Sequence, residues 1–162
     1  MTSECWDLAR VKKEYEKLEK KYKLASFEKL NEEFDIEKIA EKETSLLLRE
    51  IRKTIADKII AYIRFIEVLM NPSNGPMFFF TIVKGINLND KSLVEKVYKK
   101  LASFELDIIS LDNSYEEKRE AEFLSRVYKE WQELKEDIEK LVVIMKESWE
   151  KQGDKIEKDY FG

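Results

Sequence analysis

Residues that stop a helix are almost absent from this chain. Its 162 positions hold 2 prolines and 4 glycines. Asn71-Pro72-Ser73-Asn74-Gly75-Pro76 contains both prolines and one glycine, and the other glycines are Gly85, Gly153 and Gly162. A helix interior disfavours proline by about 3 kcal/mol and glycine by about 1 kcal/mol. Sheets, by contrast, need frequent turns built from these residues. Long stretches free of both therefore point to helices, and the apolar spacing says where each one lies.

The clearest stripe is the last. Leu124, Trp131, Ile138 and Met145 recur every seven residues, Val127, Leu134 and Leu141 follow three later, and Tyr128, Val142 and Trp149 widen the face. This is coiled-coil-like spacing. Ser114 and Glu117 have the spacing of a capping box at its start. Gly153 is its expected end, with residues 154–162 a tail that Ile156, Tyr160 and Phe161 can dock back.

At the other end, Ser3 suits an N-cap, with Glu4 and Asp7 near the positive helix end. Leu8, Val11, Tyr15, Leu18, Tyr22 and Ala25 alternate spacings of three and four. The phase shifts near Ser26, and Phe27, Leu30 and Phe34 continue on a separate piece.

Asp35 is the expected cap of a second long helix. Its stripe is Ile36, Ile39, Ala40, Leu47, Ile51, Ile55, Ile59, Tyr62, Ile63, Ile66, Leu69 and Met70. It ends at Asn71, because proline disfavours helical backbone in the residue before it. Such a helix would be about 52 Å long.

Residues 77–83 have strand propensity in Phe78, Phe79, Phe80, Ile82 and Val83. A lone strand would leave its backbone unpaired, and Pro76 and Gly85 suit the ends of a helix. A short buried helix is expected. Asn89 or Asp90 then caps a third helix with Val94, Val97, Tyr98, Leu101, Phe104, Leu106 and Ile108 on its stripe, broken at 110–113.

The expected fold class is all-α: an antiparallel helical bundle of four main helices, with the first and third segments interrupted. Residues 1–153 are expected to form a single domain, because each half alone would expose its stripe, and 154–162 a C-terminal tail.

Histidine is absent. That removes Ser-His-Asp and Cys-His catalysis, histidine-based zinc sites and the carboxylate-histidine di-iron sites that bundles often host. The glycines are too far apart for the phosphate-binding glycine loops. Cys5 is the only cysteine, so an intrachain disulfide or a cysteine cluster cannot form. Beside Trp6 it reads as a small apolar side chain rather than a reactive thiol.

Carboxylates are abundant, and three groups have spacing of interest: Glu43 with Glu50, Glu116 with Glu117 and Glu120, and Glu133 with Glu136 and Asp137. The last imitates half of the acidic motif of helical nucleotide pyrophosphatases, without a matching partner helix. All three read as surface acids paired with lysine or placed at helix starts. No cofactor, metal site or catalytic residue is assigned.

Arg49, Arg52 and Arg64 are three of the six arginines and share the second helix. Arginine suits bidentate binding of phosphate or carboxylate, so these are the candidate anion or interface residues. An arginine–glutamate network between helices is the plainer reading.

Charged residues make up 40% of the chain, 30 basic against 34 acidic, for a net charge of −4. The richest basic stretch, Arg10, Lys12, Lys13, Lys17, Lys20, Lys21 and Lys23, interleaves with Glu14, Glu16 and Glu19, which reads as a solvated face of i,i+4 pairs. Direct nucleic-acid contact is not expected. Abundant Lys and Glu with only two glutamines resemble thermophile composition, including that of archaea. Glu4 and Asp7 stand where a secretion signal would be basic and then apolar, and no run is long enough to span a bilayer, so the cytoplasm is the expected location.

Three functional readings follow. The first is a non-enzymatic interaction protein that binds a protein partner or itself, most simply as a homodimer. It rests on two heptad seams and an aromatic surplus of the kind enriched at interfaces. The second is a small-ligand or anion-binding enzyme with an inter-helix pocket near Arg49, Arg52 and residues 71–85. The third is a helical subunit of a nucleic-acid-processing complex. The 46–70 stretch resembles helices of archaeal GINS-type replication subunits and of small CRISPR effector subunits. That resemblance covers one helix, and no residue role is carried over from it.

Overall fold

The structure is a computed structural model describing the backbone of residues 6–161 and the side chains of residues 6–73 and 75–152. The described residues are helical, with short connections: α1 (Leu8–Tyr22), α2 (Phe27–Phe34), α3 (Leu47–Met70), α4 (Met77–Lys84), α5 (Leu88–Asn113) and α6 (Glu117–Phe161). Two 3₁₀ helices, Ile36–Glu41 and Pro72–Asn74, lie between them. The all-α expectation holds. The expected roles of Ser3, Glu4 and Cys5, and the docking of Ile156, Tyr160 and Phe161, lie outside the described residues and side chains.

The chain divides into two compact units. The first comprises Met1–Ile60 and Phe104–Trp131. Its core is Val11 and Tyr15 from α1, Phe27, Leu30 and Phe34 from α2, and Leu48, Ile51, Ile55 and Ile59 from α3, closed by Phe104, Leu124, Val127 and Trp131. Tyr15 is fully buried, and its hydroxyl donates to the Ala25 carbonyl at 2.5 Å. Burial, then the charges of Glu19 and Glu28, push that hydroxyl's pKa up, so it remains a donor.

The second unit comprises Ala61–Ser103 and Gln132–Gly162. Ile63, Ile66 and Leu69 of α3 are buried there, with Phe79 and Ile82 of α4, Val94, Val97 and Leu101 of α5, and Leu134, Ile138, Leu141 and Met145 of α6.

Element ends differ from the sequence reading where side chains compete for the backbone. Asp7, not Ser3, caps α1, its carboxylate accepting from the Arg10 N–H at 2.9 Å. Asp35 does not start a long helix. It ends α2 in the left-handed conformation, φ 53°, its N–H bonded to the Asn31 carbonyl. A 3₁₀ turn and an extended Lys42 follow, and α3 begins only at Leu47, where the Leu46 N–H is held by the Thr44 hydroxyl.

Asn87, rather than Asn89 or Asp90, caps α5, accepting from the Asp90 N–H at 2.9 Å. That helix also continues through 110–113, because Leu111 is buried, and burial outweighs the weak propensity of Ser, Asp and Asn. Leu106, expected on the α5 stripe, is 68% exposed. The Ser114–Glu117 capping box does not form, since Glu117 itself opens α6 and its carboxylate is bound to α1. Finally, α6 runs past Gly153 to Phe161, where the sequence reading set 154–162 apart as a tail.

Candidate functional site

The three arginines of α3 have three different surroundings. Arg52 is fully buried. Its Nε and Nη2 donate to the two oxygens of Glu120, at 2.8 and 3.1 Å, and its Nη1 to Asp112 at 2.6 Å. Glu120 is itself fully buried. Burial opposes the charge on Arg52, but the hydrogen bonds from Glu120 and then Asp112 outweigh it and raise the pKa. This is a side-on guanidinium–carboxylate pair, the strong form of the interaction, and it leaves Arg52 no free edge for an incoming anion.

Arg49 is half-buried, and its Nε has no hydrogen-bond partner among the described residues. Arg64 is exposed and pairs with Glu67 on its own helix at 3.2 Å. The arginines therefore do not converge on one ligand.

The acidic groups do not converge either. Glu43 lies in the connector before α3, so its spacing to Glu50 is not a helical one, and Glu50 faces Lys53 at 3.6 Å. Glu117 accepts from Tyr22 and Lys21 at 2.7 and 3.1 Å, bonds that hold its carboxyl below its ordinary pKa, while Glu120 turns to Arg52. Glu133 and Asp137 both bind Lys96, at 3.2 and 2.9 Å. Among the described residues, no three acidic or cysteine side chains are grouped as metal ligands. The lysines of α1 are largely paired: Lys17 with Glu14, Lys20 with Glu16, Lys21 with Glu117.

A second polar cluster joins α2, α3 and α6 in the first unit. The Lys58 ammonium donates to the Glu33 carbonyl and sits 5.5 and 5.1 Å over the rings of Phe34 and Trp131. The Trp131 indole donates to the Glu33 carboxylate at 3.1 Å. It is a half-buried cation held by ring faces.

The second unit holds an open apolar recess. Residues 77–83 are helical as expected, with Pro76 as N-cap and Gly85 as C-cap. Six of the eight residues in MFFFTIVK are apolar, yet only Phe79 and Ile82 turn fully inward. Met77 is 85% exposed, and Phe78 and Phe80 are nearly half exposed. Phe78 packs on Phe79 at 4.3 Å and edge-on to Trp149 of α6 at 6.1 Å. Between them lies a recess of about 360 Å³ lined by Phe65, Phe78, Ile82, Val142, Met145 and Trp149, with Lys146 at its edge.

Beside the recess, α4 and α6 are in tight contact. The Ser148 hydroxyl donates to the Ile82 carbonyl at 2.6 Å, inside the unit. Gly85 lies against Ser148 so closely that an added Cβ would meet the hydroxyl at 2.1 Å. The apolar spacing makes Trp149 a widening of the core stripe, and the pocket expected near residues 71–85 is paired there with Arg49 and Arg52; the recess takes Phe78 and Ile82 from that segment and is lined by neither arginine. The signal for it is a short, mostly apolar helix flanked by proline and glycine.

Comparison of the chain with models of known protein families, with curated proteins and with solved structures finds no match. No helix among the described residues is long and apolar enough to cross a membrane.

Proposed function

We propose that this protein is a non-enzymatic interaction module that self-associates through the α4 face of its second unit. The observation that carries the reading is α4 itself. Six of its eight residues are apolar, and three of these, Met77, Phe78 and Phe80, stand exposed beside Thr81 and Lys84, where a helix in water normally presents a polar face. The cover it lacks is best supplied by apolar surface from another chain.

A second copy fits for two reasons. An isologous two-fold contact needs projections and recesses on the same patch. α4 offers both, with Met77 and Phe80 projecting and Phe78 closing a recess against Trp149. On α6 the recess is edged by Lys146, with Glu150 one turn further on, both exposed, so two copies can bring opposite charges together. In this reading the chain is an antiparallel four-helix bundle, with α1–α2 and α4–α5 as its interrupted members, which the short connections between segments support.

Native mass spectrometry of the wild type and of a Met77→Glu/Phe80→Glu variant tests it. Both side chains are exposed, so circular dichroism should stay helical. The wild type should give a homodimer and the variant a monomer. A wild type that is monomeric at every concentration overturns the reading. A dimer that survives the double substitution moves the interface elsewhere.

A further inference from the structure

The first unit contains an open cleft of about 700 Å³ between the C-terminal end of α1 and the first turns of α6. Five basic and two acidic residues line it, in a chain whose net charge is −4. Two of the seven neutralise each other, as Arg126 donates to Glu130 at 3.1 Å and also to Asp107. Lys21 is held by Glu117. Lys23, Lys118 and Lys129 make no ion pair among the described residues, unlike the paired lysines of α1, and the one acid left beside them is Glu122.

Lys118, Ser125 and Lys129 are spaced i, i+7 and i+11 on α6 and share a face, spread over about 16 Å of helix. Lys23 closes the opposite wall. Its backbone is left-handed, φ 55°, the C-cap position usually filled by glycine or asparagine. A lysine there retains the backbone strain and adds a flexible cation at the mouth of the cleft.

We propose that this cleft binds a compact oligophosphate. Its volume is that of a small-molecule site. Three long ammonium side chains can converge on one multiply charged anion, with the Ser125 hydroxyl as an additional donor. An extended nucleic-acid strand fits less well. Beyond the cleft it would cross the carboxylates of Glu14 and Glu16 on α1, against a net negative chain. The site is independent of the apolar face of the second unit.

The test is calorimetric titration with inorganic tripolyphosphate at about 0.15 M salt, where surface charges are screened beyond roughly 8 Å. The variant is Lys118→Gln/Lys129→Gln. The control is Lys13→Gln/Lys99→Gln, which changes the net charge equally at exposed positions outside the cleft. Saturable binding that weakens roughly tenfold or more in the cleft variant, and less than about twofold in the control, is expected. Absence of saturable binding to the wild type overturns the proposal, as does equal weakening in both variants. Tighter binding of an oligothymidylate that depends on the same lysines overturns it in favour of a nucleic-acid strand.

Discussion

At the scale of single residues, Arg52 is the side chain on which the first unit most depends. It and Glu120 are both fully buried, 68 positions apart in sequence, and joined by two hydrogen bonds. Removing one partner of such a pair strands the other charge in an apolar setting and typically costs about 3–5 kcal/mol. Arg52→Met should therefore lower Tm by roughly 6–20 °C, using about 2–4 °C per kcal/mol at this chain length. Arg52→Met/Glu120→Leu should recover most of that loss, since a buried pair replaced by apolar side chains is often neutral. Asp112, half exposed, is a minor partner, and Asp112→Asn should cost less than about 1 kcal/mol. Equal Tm values for the single Arg52 variant and the double variant would refute the coupling. The arginine cluster on α3 was readable from the sequence. Its partners were not, because residue spacing does not say which distant acid will be desolvated beside it.

At the scale of elements, the stripes were legible and the ends were not. Seven-residue recurrence placed Leu124, Trp131, Ile138, Leu134 and Leu141 in the interior, and all are buried. Asp35 shows the limit of this. An aspartate before an apolar run signals a helix start, yet the same short side chain tolerates the left-handed C-cap, and here it closes the preceding helix. Single side-chain bonds decide such ends, as at Asn87 and Thr44. Where α4 meets α6, tight packing takes over. Gly85 is required by the approach of Ser148, not by an unusual φ. Gly85→Ala should push α4 away from α6, at about 1–3 kcal/mol for an overpacked contact, and lower Tm by roughly 2–12 °C. A variant as stable as the wild type would mean that the α4 end yields freely.

At the scale of the whole molecule, composition was most informative through what it removed. A chain without histidine or a glycine loop has few routes to acid–base or phosphoryl chemistry, and Glu50, Glu117, Glu120, Glu133 and Asp137 are engaged by arginine or lysine. What composition could not locate was an exposed apolar surface, since the same phenylalanines count as core until the fold shows which of them lack cover. Self-association through that surface would make stability a concentration-dependent quantity. If the α4 face joins two copies, unfolding is coupled to dissociation, and a tenfold rise in protein concentration stabilises the dimer by about 1.4 kcal/mol. With the unfolding entropy of two chains, that raises Tm by roughly 2 °C per tenfold step. The Met77→Glu/Phe80→Glu variant should lose the dependence while remaining helical, because substitutions at exposed positions remove the association and leave the fold. Scanning calorimetry across two decades of concentration reads both results. A wild-type Tm that does not move with concentration would sink self-association through this face.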